Sequence, residues 1–167
     1  MVRLLAAVAV IIICTSVGTA LSSALRLRCI QLNCMRSVFE EMATLIRYRA
    51  VRCKELMTEL CGKETYSGFD FMQKLDIALK SGIGITEAWQ ISARQARFIT
   101  ESDREILLST GEQLGTTDID GQLSMLTLSA GLAEKNLREA REESSRKGRM
   151  TLCVWVLCGI AAGIMLL

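Results

Sequence analysis

Half of the 167 residues are apolar, and lysine plus arginine outnumber aspartate plus glutamate by only 20 to 18. A chain this close to neutral sets up no long-range field to draw in nucleic acid, so a charge-driven nucleic-acid binder is excluded. Histidine and proline are both missing: without the first there is no Ser-His-Asp triad and no mixed Cys/His zinc site, and without the second nothing in the side-chain chemistry interrupts very long helices.

From Leu4 to Leu25 no charged residue occurs, a run of about 33 Å as a helix and therefore long enough to cross the hydrocarbon core of a bilayer. A cleaved signal peptide ending near Gly18-Thr19-Ala20 is the competing reading. Apolar and small residues continue beyond Ala20, and Arg26 and Arg28 follow at once, so a retained anchor is favoured. Next, Leu25 to Cys61 carries Leu32, Met35, Phe39, Met42, Ile46, Leu56 and Leu60 at helical spacing, which predicts one amphipathic helix ended by Gly62. Its basic residues Arg47, Arg49, Arg52 and Lys54 scatter around the axis and make no single anion-binding face.

Phe69 to Lys80 reads as a second helix closed by Ser81-Gly82, and Thr86 as the cap of a third that contains Ala88, Trp89 and Ile91. Trp89 reads as core. Ser102 with Glu105 matches a capping box ahead of a fourth helix that carries Ile106, Leu107 and Leu114. Ser109 to Gln122 is the sharpest punctuation in the chain: Gly111 and Gly115 loosen and end one apolar run, and Thr116 to Asp118 supply oxygens suited to capping the next. Beyond this corner Leu123, Leu126, Ala130, Ala133, Leu137 and Ala140 form a narrow stripe of small residues. Glu134 with Arg138, Glu142 with Arg146 and Glu143 with Lys147 stand at i, i+4 on the solvated side. Only Gly148 interrupts the approach to the uncharged end Met150–Leu167, about 27 Å as a helix and a second candidate span.

Charge orients the two spans. Arg26, Arg28 and Arg36 follow the first, Arg146, Lys147 and Arg149 precede the second, and the outer sides carry only Arg3, so the middle of the chain is expected in the cytosol. Cys14, Gly18 and Ser22 on the first span, and Gly159 and Gly163 as a GxxxG pair on the second, are candidates for close helix packing in lipid. The expected fold is all-α: four to five cytosolic helices over residues 26–149, flanked by transmembrane segments at 1–25 and 150–167, with the first and last helices continuous with the spans.

No catalytic constellation emerges. Asp118 and Asp120 are two apart, suited to capping and not to paired acid–base work, and the glycines of the corner lack the lysine of a phosphate loop. Seven cysteines without a C-x-x-C pairing read as reduced, structurally bland thiols. The expectation is a protein that is not an enzyme and uses no cofactor or metal.

The corner Gly111-Glu112-Gln113-Leu114-Gly115, with Asp118 and Gln122 after it, resembles the G-E-x-x-G corner of the inner-membrane platform proteins of type II secretion and type IV pilus machines. More closely, the chain length, the two terminal spans, Ala88-Trp89, the phrase Leu114 to Gln122 and the basic stretch before a glycine-containing final span are similar to the stage III sporulation protein AB family of endospore-forming bacteria. A threonine-proline pair common in that family after the tyrosine of the first cytosolic helix is replaced here, after Tyr48, by Ala50 and Val51. The resemblance implies a helical mother-cell domain anchored in the membrane around the forespore, within a secretion-like complex. It also implies partners: membrane lipid, other membrane components of that complex, further copies of the chain, and a cytosolic secretion-type ATPase. Gly111, Glu112, Gly115, Asp118 and Gln122 are then either a partner surface or the residues that fix the corner. A membrane-anchored regulator that binds a cytosolic ligand is the alternative, and it requires an apolar pocket with convergent polar groups.

Overall fold

The computed structural model describes the backbone of residues 2–49 and 53–166 and the side chains of residues 16, 23–49 and 55–146. Among the described residues six α-helices follow one another, α1 (Val2–Arg49), α2 (Cys53–Cys61), α3 (Asp70–Lys80), α4 (Ile85–Gln95), α5 (Glu101–Gln113) and α6 (Ile119–Leu166), with a 3-10 turn at Glu64–Tyr66. The fold is all-α, and no strand occurs among the described residues. The first and last helices are 48 residues each, as a proline-free chain permits. Gly148 does not stop α6.

The chain forms two compact units, one of Arg28–Arg138 and one of Met1–Leu27 with Glu139–Leu167. Among the described residues no helix is long and apolar enough to cross a membrane. The two uncharged runs expected to span fall almost wholly on residues whose side chains lie outside that description, as do Cys14, Gly18, Ser22, Gly159 and Gly163.

In the Arg28–Arg138 unit, Leu32, Met35, Phe39 and Met42 of α1 are fully buried and Ile46 nearly so, one stripe at three- and four-residue spacing. Facing residues come from every other helix: Leu56, Met57 and Leu60 of α2, Phe71, Met72 and Leu75 of α3, Ala88, Trp89 and Ala93 of α4, Ile106 and Leu107 of α5, and Leu126, Ala133 and Leu137 of α6. Burying a side chain such as Phe39 or Leu75 contributes about 1.5–3 kcal/mol relative to leaving it in water. Trp89 is core, as its spacing predicts: its ring meets that of Phe71 edge-on at 4.8 Å, and its Nε1 donates to the Leu107 carbonyl at 2.7 Å.

Three expectations are corrected. The helix drawn from Leu25 to Cys61 is two helices, α1 and α2. A continuous helix would separate Arg49 and Glu59 by about 15 Å, yet Arg49 Nη1 donates to the Glu59 carboxylate at 3.1 Å, and Lys63 and Tyr66 both bond Glu41 further back on α1. The third helix, α4, is capped by Gly84 and not by Thr86, with the Ala88 amide donating to the Gly84 carbonyl at 2.8 Å. The fourth, α5, begins at Thr100 and not Ser102, because a capping box between Thr100 and Asp103 is the one that forms. On α6, Glu134 and Arg138 stay exposed and form no ion pair with each other among the described residues, and the same holds of Glu142 and Arg146.

Candidate functional site

The corner between α5 and α6 is built outward from the core. Thr110 is fully buried; its hydroxyl donates to the Ile106 carbonyl at 2.6 Å and lies 2.9 Å from the Ser129 hydroxyl on α6, joining the two helices just before they part. Gly111 follows because nothing larger fits: a Cβ there would sit 2.1 Å from Trp89 Cδ1. Leu114 is 8% exposed and anchors the loop, and Gly115 has φ of +80°, a left-handed turn that suits glycine. Asp118 then caps α6, its Oδ1 accepting the Gly121 amide at 3.0 Å, while the Gln122 side chain closes the turn by donating to the Thr117 carbonyl at 2.8 Å. A Cβ at Gly121 would meet Asp118 Oδ1 at 2.7 Å, a constraint that the spacing of residues does not reveal.

These contacts divide the sequence-predicted residues. Asp118 and Gln122 bond within the turn, Gly115 supplies its left-handed residue, and Gly111 packs against Trp89. Glu112 does not join them: it is exposed, and no side-chain bond engages it among the described residues. Asp118 and Asp120 are exposed too, and no lysine or arginine occurs between Ser109 and Gln122, so the tip is acidic.

At the opposite end of α5 lies a polar cluster that the sequence reading missed. Asp103 has no exposed side-chain surface. It receives Arg28 Nε at 3.0 Å, Asn136 Nδ2 at 2.7 Å and the Thr100 amide at 2.9 Å, so one carboxylate ties α1, α5 and α6 together. Burial alone would raise its pKa; the donors from Arg28, Thr100 and Asn136 outweigh that and hold it below the usual aspartate value. The signal that could have found it is Thr100-x-x-Asp103, a capping-box pattern as good as the one at Ser102. Glu41 shows the same balance on a smaller scale: burial pushes it up, but Lys63 and Tyr66 bring it below the ordinary glutamate range.

Gln31, also missed, is 3% exposed and caps α3 from another helix, donating to the Gly68 carbonyl at 2.7 Å and accepting the Asp70 amide at 3.0 Å. The thiols Cys29, Cys34 and Cys61 are free, and among the described residues no group of three or more acids, cysteines or histidines could hold a metal. Burial, reinforced by the charge of Asp76, pushes the Cys61 thiol up to about 11, far from a reactive thiolate. An open groove of about 430 Å³ runs between Glu40, Ala43, Thr44, Arg47 and Tyr48 on α1 and Thr127, Ala130, Gly131 and Glu134 on α6.

With two ends of one hairpin so differently built, one buried and clasped and one exposed and acidic, the comparison with known families bears on both. The family profile described as stage III sporulation protein AB matches residues 3–167, from before the first uncharged run to the last residue. The chain belongs to the stage III sporulation protein AB family. The match takes in the α5–α6 corner, the Asp103 cluster and both uncharged ends alike. No curated protein and no solved structure matches it.

Proposed function

We propose that this member of the stage III sporulation protein AB family is a non-enzymatic, membrane-anchored scaffold of a secretion-like complex used in sporulation. Its spans are Leu4–Leu25 and Met150–Leu167, and residues 26–149 form the domain on the mother-cell side. The role in sporulation rests on the family; the anchoring rests on the two uncharged runs and their basic inner flanks.

One observation carries the docking part of the reading. α5 begins at the clasp with Arg28, three residues past the first uncharged run, and ends at the acidic corner. From Asn136, which shares that clasp, α6 rises about 26 Å to Ile119. Within the Arg28–Arg138 unit the corner is thus the end of the hairpin remote from the Arg28 clasp, exposed in its acids, and a basic surface on a cytosolic secretion-type ATPase is the complementary partner.

Binding of the full-length protein, in lipid nanodiscs, to the ATPase of the same complex tests this. Glu112→Arg reverses the acid that no internal bond uses, and Asp118→Ser removes a charge while keeping a capping oxygen. Each is expected to weaken binding about tenfold, about 1.4 kcal/mol, with helix content unchanged. Undiminished binding by both folded variants would remove the corner from the interface. The alternative, a regulator with a small-molecule pocket, is less well served by the groove between α1 and α6, which is open to solvent and lined in part by Ala43, Ala130 and Gly131, than an enclosed apolar cavity would serve it.

A further inference from the structure

Phe98 is 48% exposed and has φ of +60°, a left-handed backbone that a bulky side chain rarely adopts. The loop that holds it there is fixed from both sides. Ahead of it, Lys74 bonds the Gln95 carbonyl and the Arg97 amide donates to Asp70 at 2.7 Å. Arg104 Nη1 reaches back to the carbonyls of Ala93 and Arg94 at 2.7 and 2.6 Å, and behind Phe98 stands the Thr100–Asp103 capping box. A chain clamped this way does not present an aromatic ring to water by looseness.

Charge and place say what covers it. When Lys74 is matched with Asp70, Arg104 with Glu101 and Arg28 with Asp103, the exposed side chains of Arg94, in the last turn of α4, and Arg97, in the loop, are left over among the described residues. Arg28 Nη2 also donates to Thr100 Oγ1 at 3.3 Å, so the loop is pinned to a residue only three positions beyond Leu25. Three residues reach no more than about 11 Å, the Arg28 side chain spans the gap to Thr100, and Phe98 is two residues from Thr100.

We infer that the Phe98 loop is a membrane-interface contact, with the Phe98 ring seated at the headgroup level and Arg94 and Arg97 facing anionic phosphates. The inference rests on the two-span reading above. A Phe side chain at the headgroup and acyl boundary, with guanidiniums toward anionic phosphates, is the combination that interface-bound segments use.

The test uses the full-length protein in phosphatidylcholine vesicles, with and without phosphatidylglycerol, containing lipids brominated high on their acyl chains. Two native tryptophans serve as internal references: Trp89 is buried and common to all variants, and Trp155 lies in the second uncharged run. If the parent protein is quenched no more than Trp155→Phe, the span reading falls and this inference with it. Given Trp155 quenching, Phe98→Trp in the Trp155→Phe background is expected to be quenched at least about twofold more than Ile119→Trp, a substitution at the exposed far end of the same hairpin. Arg94→Glu with Arg97→Glu should lower that quenching in vesicles with phosphatidylglycerol and change it little in phosphatidylcholine alone. Equal quenching at 98 and 119 overturns the contact while leaving the spans standing. So does an unquenched tryptophan at 98 whose emission shifts with protein density, which would assign the ring to a second copy of the chain.

Discussion

Asp103 is charged and has no exposed surface, and its energetics follow from that pair of facts. A buried carboxylate is tolerated only while Arg28, Asn136 and the Thr100 amide donate to it, and removing its charge takes the Asp103 carboxylate from the partly buried Arg28 guanidinium and breaks a buried ion pair. Asp103→Asn is expected to lower stability by roughly 3 kcal/mol or more near neutral pH. The sign of the pH dependence is set by a folded pKa below the unfolded one: the stabilisation is fully present above the unfolded aspartate value of about 3.9 and is lost as pH falls through the lower folded value. Glu41 is lowered as well and contributes the same sign. Thermal melts from neutral to strongly acid pH should therefore show a shallower acid limb in Asp103→Asn than in the parent, with the Glu41 share remaining; identical slopes would remove Asp103 from the acid limb. Gly111 makes the complementary steric case. A methyl group there overlaps the Trp89 indole, whose own position is fixed by Phe71 and by its bond to Leu107, so neither side can yield cheaply. Gly111→Ala should cost about 1–3 kcal/mol or somewhat more, read as a fall in melting temperature, and pairing it with Trp89→Leu should recover part of that loss.

At the scale of elements, periodicity was legible and punctuation only partly so. The apolar stripe Leu32, Met35, Phe39, Met42, Ile46 and the small-residue stripe of α6 both face the core as their spacing requires, because burial and a 3.6-residue period leave little choice. The break between α1 and α2 was not legible: Leu56 and Leu60 continue the earlier pattern in phase, and no proline or glycine stands between Arg49 and Cys53 in the sequence. Two overlapping capping boxes competed for the start of α5, and local chemistry could not choose between Thr100 with Asp103 and Ser102 with Glu105. Contacts from Arg28 and Asn136, distant in sequence, decide it. The corner shows the same division. That glycines and Asp118 form a turn and a cap could be read from the residues themselves, but that Gly111 exists for Trp89, and that α3 is capped by Gln31 of α1, are facts of tertiary contact that no spacing encodes. The Phe98 strain has no sequence signature at all, since nothing in Arg97-Phe98-Ile99 marks a left-handed residue.

For the whole molecule, the decisive question under the proposed two-span reading is which side of the membrane the acidic corner faces. Both basic flanks, Arg26 to Arg36 and Arg146 to Arg149, border the inner ends of the uncharged runs, and moving such clusters across a bilayer is disfavoured. Within the Arg28–Arg138 unit the α5–α6 hairpin separates its two ends by about 20 Å. A protease recognition site inserted between Thr116 and Thr117, in the exposed loop after Gly115, interrupts neither helix. Protease added to intact protoplasts should leave this variant whole, whereas in inverted vesicles the same protease should cut it into two fragments that both stay with the membrane, each held by one uncharged run. Cleavage in intact protoplasts would reverse the orientation and take the cytosolic partner with it. Release of the amino-terminal fragment after cutting inverted vesicles would instead show that the first run is not retained, leaving the carboxy-terminal run as the sole anchor.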